Sequence, residues 1–337
     1  MALASLKNIR TQYYPPKPTF TEEHLSSQNG RVFIVTGGNT GIGYELVKLL
    51  YGTGATIYIT SRSKDRAEKA IKELTTATPP PTNPGIIKFL HLDLGDLESV
   101  KLAAETFAQQ EDRLDILWNN AGTGALGVEV GAKTKQGLEA MVGMHCVAAL
   151  LFTQLLIPQL RAAVASSPKG SVRVVWTASF LAESASPTNG IEFENLDTGT
   201  SNRTRNYAVS KIGNWMLGRE MAARYGDDGI INVTQNPGNL KAGSYSGVPA
   251  VGMIFLNLLF LHDPKYGAYT GLFSGFSPEI SLENNGSYII PWGRIRSDED
   301  FTRKDIIQAM TPESQGGLGY TGKFWDWCEK QWQPFIN

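Results

Sequence analysis

Tyr207 and Lys211 stand four residues apart in a stretch, 207–225, whose amphipathic pattern predicts a long helix. Positions i and i+4 share one face of a helix, so the phenol and the ammonium would lie side by side. A neighbouring cation favours the phenolate, and such a tyrosine can donate or accept a proton while a hydride moves at a carbon atom. The same spacing is common on ordinary helix surfaces, so its meaning depends on the rest of the chain.

A glycine-rich turn lies between a predicted strand, 31–36, and a predicted helix, 42–51. Its glycines would permit the tight turn, let the backbone approach a pyrophosphate, and allow close packing of helix against strand. The helix N-terminus adds free N–H groups and a positive potential for an anion. Together these features predict a dinucleotide site, and the residues that we expect to contribute are Thr36, Gly37, Asn39, Gly41, Ile42 and Gly43.

The next predicted strand, 56–60, is followed by Ser61 and Arg62. NAD-specific sites usually carry an acid here for the ribose 2′-hydroxyl, whereas an arginine accommodates a 2′-phosphate. Ser61 stands where the acid would be, so we expect NADP(H), bound in part by Ser61 and Arg62. The alternative is that Arg62 is a solvated surface residue.

Taken in order along the chain, these motifs resemble those of the short-chain dehydrogenase/reductase family. The turn matches Thr-Gly-x-x-x-Gly-Ile-Gly, and it is followed by Asp93 in His-Leu-Asp-Leu and by Asn-Asn-Ala-Gly at 119–122. The resemblance covers roughly residues 30–295. It implies that Asp93 and Leu94 contact the adenine, and that Asn120, Ala121 and Gly122 close the cofactor site. It also implies a Pro-Gly turn beside the nicotinamide, formed by Pro237 and Gly238, with Leu240 close behind.

The same resemblance assigns catalytic roles. Ser179, after a predicted strand at 171–177, would bond the substrate oxygen and orient it against Tyr207, with Thr177 as the alternative. Lys211 would tune Tyr207 and hold the cofactor ribose. His145 stands where the family carries its fourth catalytic residue, an asparagine. It would serve as the relay residue unless it is a buried helix histidine satisfied by a backbone carbonyl.

Two further stretches, 190–196 and 286–294, resemble the retinol-dehydrogenase-like branch of the family, particularly its fungal members with a proline-rich N-terminal arm. That likeness implies a hydrophobic substrate and suggests secondary metabolism. An aromatic and aliphatic segment, 244–276, falls where the family has its substrate lid, the alternative being ordinary core cover. Ala242 replaces a threonine that relatives commonly use to bond the cofactor.

The elements that must position these residues alternate between strand and helix, as in parallel βαβ units. This predicts a doubly wound parallel sheet, a Rossmann-like α/β fold, in a single domain. We expect an N-terminal arm at 1–30, the catalytic domain at 31–295 and a C-terminal helical extension at 296–337. The remaining predicted strands are 86–92, 115–118, 230–235 and 287–291, and the remaining helices are 65–76, 97–110 and 137–164.

Composition and charge argue against nucleic acid, a membrane span and a metal ion as partners. The formal net charge of −1 gives no electrostatic footprint for nucleic acid. The longest apolar stretch, 251–261, is too short to span a bilayer, and residues 1–20 have no apolar core of a signal peptide. Cys146 and Cys328 suit two reduced thiols in a cytoplasmic protein, and no residue spacing indicates a metal site. Whether the chain forms a homodimer is left open.

The expected function is NADP(H)-dependent reduction of a carbonyl, or oxidation of an alcohol, on a hydrophobic small molecule. One alternative keeps the fold but isomerises, cyclises or dehydrates its substrate, since the fourth catalytic position is altered. A second alternative is a non-enzymatic NADP-binding regulator, which would need only the cofactor half of the site.

Overall fold

The computed structural model describes residues 11–241 and 261–336. Within them, eight strands form one sheet in the order β3-β2-β1-β4-β5-β6-β7-β8. Strands β1 to β7 are parallel, and β8 runs antiparallel to β7. The predicted doubly wound sheet in a single domain is confirmed. The strands are β1 Val32–Thr36, β2 Thr56–Ser61, β3 Ile86–His91, β4 Ile116–Asn119, β5 Arg173–Thr177, β6 Ile231–Gln235, β7 Tyr288–Ile290 and β8 Arg294–Arg296.

Helices cover both faces of this sheet. The helices are α1 Gly41–Tyr51, α2 Lys64–Thr75, α3 Leu97–Ala108, α4 Ala140–Leu155, α5 Ile157–Ser166, α6 Phe180–Ser184, α7 Arg203–Tyr225, α8 Pro264–Phe276, α9 Lys304–Met310 and α10 Tyr320–Ile336. Five single 3₁₀ turns complete the part of the chain that the structure describes: Glu22–His24, Phe193–Asn195, Leu282–Asn284, Asp298–Asp300 and Glu313–Gln315. Helices α1, α2 and α8 share one hydrophobic core with the sheet, and α3, α4, α5, α7 and α10 share the other.

The position of the site follows from the strand order, which reverses its direction beside β1. Every residue of β1 is buried, as expected for a strand covered on both faces. The chain runs from β1 to β2 and β3 on one side, then crosses back to β4 on the other side. Ligands of doubly wound sheets bind in the crevice that this reversal opens at the carboxyl ends of the strands.

The predicted helix 137–164 is interrupted in the structure. It begins at Ala140, contains a π-helical turn at Gly143–Ala148, and breaks at Leu156. Across the residues described here, no single helix is long and apolar enough to cross a membrane. The pair α4 and α5, bent by 52° at the break, meets that requirement by length and composition alone.

The C-terminal helices belong to the main core. Phe324, Trp325 and Trp332 of α10 are buried in the same cluster as residues of α3, α4 and α7. Strand β8, which the sequence did not predict, crosses the expected domain boundary at residue 295. Its Arg-Ile-Arg sequence has no strand pattern of its own, and Arg296 is buried because it forms an ion pair with Glu183.

Part of the predicted lid, 244–276, can be placed. Residues 242–260, and with them Ala242, lie outside the described residues. Helix α8 covers most of the remainder, and its Leu272 and Phe273 are buried in the core against α1 and the sheet. The part of the segment that the structure describes is therefore core cover and does not line the cavity described below.

Candidate active site

A cavity of about 890 Å³ opens at the carboxyl ends of the strands. Most of the predicted site residues line it: Gly37, Asn39, Gly41, Ile42, Ser61, Arg62, Asp93, Leu94, Asn120, Ala121, Gly122, Ser179, Tyr207, Lys211, Pro237, Gly238 and Leu240. Three predicted residues, Thr36, Gly43 and His145, do not line it. The structure gives each of these three a different position, described below.

The turn between β1 and α1 has the shape of a phosphate cradle. Gly37 adopts φ +67°, a conformation that L side chains rarely adopt. A Cβ atom on Gly43 would lie 2.5 Å from the Gly37 carbonyl oxygen, so the helix can approach the turn this closely only because Gly43 is a glycine. The N-terminus of α1 consequently faces the cavity through Gly41 and Ile42. Gly43 does not line the cavity, but it determines how closely α1 packs against the turn.

Thr36 is buried and fixes the turn that follows β4. Its hydroxyl donates to the Trp118 carbonyl at 3.0 Å and accepts from the backbone N–H groups of Asn120 and Ala121, both at 2.8 Å. The Asn120 side chain donates back to the Thr36 carbonyl at 2.8 Å. With its hydroxyl fully used in this way, Thr36 holds Asn120 and Ala121 on the cavity wall and is not available to a ligand.

The far end of the cavity is cationic. Arg62 follows β2, Arg66 lies one turn into α2, and both are exposed and line the cavity. Neither arginine forms an ion pair with any residue in 11–241 or 261–336. Asp93 also lines the cavity, and its carboxylate accepts from the Gly95 N–H at 2.9 Å, which orients it. Two unpaired guanidinium groups at this end suit an anionic group such as a phosphate.

Tyr207 and Lys211 lie on the buried face of α7, as their spacing predicts. They are 8% and 4% exposed, and the Lys211 Nζ lies 5.6 Å from the centre of the Tyr207 ring. The Lys211 ammonium donates to the Thr177 carbonyl at 3.1 Å. Burial lowers the pKa of Lys211 from 10.5 to about 8, since desolvation disfavours its charged form.

Ser179 begins α6 and faces the same cavity. Its hydroxyl oxygen accepts the N–H of Leu181 at 3.2 Å, which is an N-cap contact. The hydroxyl proton is not used in this contact and can be donated into the cavity. Thr177, the alternative, is 6% exposed, and its hydroxyl lies 3.5 Å from the Gln235 amide. We therefore favour Ser179 as the donor to a substrate oxygen.

His145 lies in the π-helical turn of α4 with both ring nitrogens engaged. Its Nε2 accepts the backbone N–H of Thr123 at 3.0 Å. Its Nδ1 lies 2.8 Å from the Ser210 hydroxyl, whose own proton goes to the Tyr207 carbonyl. Nδ1 must then carry the proton, so the ring is neutral. Burial and the nearby Lys211 also hold the pKa of His145 well below its usual value.

The predicted relay role of His145 does not fit this arrangement. A relay through the ring needs a nitrogen open to water, and within the described residues both are already bonded to protein. We regard His145 as a positioning residue that joins the 122–123 turn to α7.

The sequence analysis missed several residues of the cavity wall. Arg66 could have been recognised, because it follows Arg62 by four residues. Tyr13 and Tyr14 had no local signal, since they come from the segment predicted as a surface arm. That prediction is wrong for the neighbouring Gln12, which is 1% exposed. The apolar wall residues Met144, Phe180 and Leu181 were also missed, and they come from segments whose role depends on distant packing.

Comparisons with known proteins give matches in both sequence and fold. A sequence model of the short chain dehydrogenase family matches residues 31–191. The chain is 49% identical to the short-chain dehydrogenase/reductase iacJ of Pestalotiopsis fici over 336 residues, which is 99% of this chain and 100% of the relative. It is 40% identical to a short-chain dehydrogenase/reductase of Phomopsis amygdali, covering 98% of each chain.

Among solved structures, the fold is similar to that of an NADPH-bound carbonyl reductase from chicken fatty liver. The TM-score is 0.59 at 20% sequence identity, over 82% of this chain and 97% of that chain. At this identity the likeness concerns the fold alone.

Proposed function

This chain belongs to the short-chain dehydrogenase/reductase family of oxidoreductases, and we propose that it transfers a hydride between NADP(H) and a carbonyl or alcohol carbon of an apolar small molecule. The observation that carries the proposal is the meeting of three groups on one cavity wall. Ser179, Tyr207 and Lys211 line the same cavity as the glycine turn and Arg62.

The residues present fit the dinucleotide. The turn at Gly37 and the close approach allowed by Gly43 leave room for a pyrophosphate beside the N-terminus of α1. Arg62 and Arg66 would hold a 2′-phosphate, which supports NADP(H) over NAD(H). Asp93 and Leu94 would flank the adenine, and Pro237, Gly238 and Leu240 would lie beside the nicotinamide. When bound, NADPH supplies the hydride that the protein itself cannot provide.

The proton is handled by the protein's own residues. In the direction of reduction, Ser179 donates a hydrogen bond to the carbonyl oxygen and Tyr207 gives it a proton. Lys211, with its pKa of about 8, is mostly charged at neutral pH, and its ammonium stabilises the phenolate that remains. Its bond to the Thr177 carbonyl fixes the ammonium beside the tyrosine.

The wall on the substrate side favours an apolar molecule. Ala125, Leu126, Met144, Phe180 and Leu181 line the cavity next to the catalytic residues. Such a lining excludes water and binds hydrophobic carbonyl compounds. A role in secondary metabolism is an extension of the proposal that depends on the resemblance to fungal members alone.

The test is NADPH oxidation in the presence of a panel of apolar aldehydes and ketones. Wild type should consume the cofactor, and Tyr207→Phe should lower kcat by about 10²–10⁴-fold at unchanged NADPH affinity. Tyr225→Phe, at the far end of the same helix, is the matched control and should keep full activity.

The outcomes separate the alternatives. Turnover of a substrate without net consumption of NADPH would favour isomerisation, cyclisation or dehydration. Tight binding of NADPH without any chemistry would favour a regulator. Substantial activity in Tyr207→Phe would show that Tyr207 is not the acid.

A further inference from the structure

The N-terminal segment at residues 11–14 is fixed to the catalytic end of the domain. Arg294 donates from its Nη2 to the Thr11 carbonyl at 2.8 Å, and the Nε2–H of His262 donates to the Tyr13 carbonyl at 2.8 Å. These two contacts come from β8 and from the residues before α8. The segment, which we call the N-terminal clamp, is therefore held along its backbone from two directions.

Gln12 is the buried anchor of the clamp, with 1% of its surface exposed. Its amide nitrogen donates to Glu183 Oε1 at 3.1 Å, and its amide oxygen accepts from the Asn236 side chain at 2.6 Å. The Glu183 carboxylate needs a donor and the Asn236 amide nitrogen needs an acceptor, and a single amide side chain supplies both. Neither a carboxylate nor an aliphatic side chain could replace it without leaving a buried polar group unpaired.

Both partners of Gln12 are themselves fixed at the site. Glu183, on α6, forms a buried ion pair with Arg296 at 2.9 Å, which stabilises the carboxylate away from water. The Asn236 side-chain oxygen accepts from the Gly238 N–H at 3.0 Å, within the turn that we assign to the nicotinamide. Gln12 thus connects the clamp to the element that carries Ser179 and to the cofactor turn.

The clamp places aromatic surface beside the catalytic serine. The Tyr13 ring contacts Phe180 edge to face, with ring centres 5.3 Å apart, and Phe180 follows Ser179 directly. Tyr13 and Tyr14 both line the cavity together with Ser179 and Asn236. A substrate whose carbonyl oxygen reaches Ser179 would place the rest of its skeleton close to this aromatic wall.

We propose that Tyr13 is a specificity-determining residue and that Gln12 is the positioning residue that holds it, so that the N-terminal clamp selects cyclic or aromatic ketones over small aliphatic ones. This inference rests on the proposed function. It assigns a substrate-recognition role to a segment outside the dinucleotide-binding elements. Flat rings gain most from offset or edge contacts with aromatic side chains, which is why the clamp favours them.

The test compares a bicyclic aromatic ketone, 1-tetralone, with a small one, 2-butanone. Tyr13→Ala should raise KM for 1-tetralone about tenfold, with kcat, the NADPH dissociation constant and KM for 2-butanone nearly unchanged. Gln12→Leu should also raise KM for 1-tetralone, and by a larger factor than it weakens NADPH binding, although Asn236 of the cofactor turn loses a partner. Tyr13→Phe keeps the ring and should recover most of the loss. Gln109→Leu removes an exposed glutamine at the C-terminal end of α3 and is the matched control for Gln12→Leu.

Calorimetric binding of 1-tetralone to the enzyme with NADP⁺ repeats the comparison without turnover. Equal KM and equal binding in wild type and Tyr13→Ala, in an active enzyme, would overturn the role of the clamp and leave the proposed function standing. A wild type that neither reduces nor binds any apolar ketone would overturn both. A loss of NADPH affinity equal to the loss for 1-tetralone would show that the clamp supports the cofactor site instead.

Discussion

Replacing Lys211 by methionine should stabilise the protein while it abolishes turnover. The fall of the Lys211 pKa from 10.5 to about 8 is the cost of burying its charge. At about 1.4 kcal/mol per pKa unit, that cost is about 3 kcal/mol at pH 7. The variant loses the charged bond to the Thr177 carbonyl, which is worth about 1.5 kcal/mol here because Asn214 still donates to that carbonyl at 2.9 Å. Methionine fills a similar volume, so the net gain is about 1.5 kcal/mol.

The pH dependence of this gain follows from the direction of the shift. Below pH 8 the lysine is charged in both the folded and the unfolded chain, and the wild type bears the full cost of burial. Between about pH 8 and 10.5 the folded chain has lost the proton that the unfolded chain still binds, so wild-type stability rises in this window. The advantage of Lys211→Met should therefore shrink above pH 8 and vanish near pH 10.

Urea unfolding of both proteins at pH 7 and pH 10, without cofactor, measures the effect. Lys72→Met is the matched control, because Lys72 is exposed on α2, and it should change the free energy of unfolding by less than about 0.5 kcal/mol. A Lys211→Met variant less stable than wild type at pH 7 would refute the reasoning. So would an advantage that stays constant as the pH rises.

Three further substitutions test other parts of the site. Arg62→Ala should weaken NADPH binding by about 1.5–3 kcal/mol and leave NADH binding unaffected, as measured by fluorescence titration. Equal affinities of the wild type for both cofactors would contradict the assignment of NADP(H). Gly43→Ala should abolish NADPH binding in the same titration, since its Cβ would lie 2.5 Å from the Gly37 oxygen; normal binding would show that the turn can move. His145→Leu should lower both turnover and thermal stability, because the Thr123 N–H loses its acceptor and the Ser210 oxygen loses the donor at Nδ1, whereas His145→Asn should stay active. A Leu variant equal to wild type would leave His145 a packing residue.

The parts of the site that the sequence predicted are those determined by local spacing. Tyr207 and Lys211 share a helix face because they are four residues apart, and the turn at Gly37 needs a positive φ that glycine supplies. Strand boundaries agree with the predicted ones to within two residues, since buried parallel strands are continuous apolar runs. The parallel arrangement of the sheet followed from the alternation of strands and helices.

The parts that failed depend on contacts between distant segments. Gln12 is polar and precedes a proline-rich stretch, so nothing local indicated that it is buried against Glu183 and Asn236. Strand β8 pairs with β7, and its Arg296 is buried against the same Glu183 carboxylate. Thr36 belongs to a predicted motif, yet its hydroxyl serves the protein and not a ligand, which only its three hydrogen bonds reveal. The cytoplasmic location stays a prediction.

The most direct test of the central claim follows the hydride itself. The enzyme is incubated with an apolar ketone and NADPH carrying deuterium at C4 of the nicotinamide, in each of the two stereochemical forms, and the product alcohol is examined by mass spectrometry and NMR. Our account predicts that one of the two forms delivers its deuterium to the carbinol carbon in wild type, and that Tyr207→Phe delivers far less in the same time. An unlabelled product from both forms, or no alcohol from any ketone that binds, would contradict it.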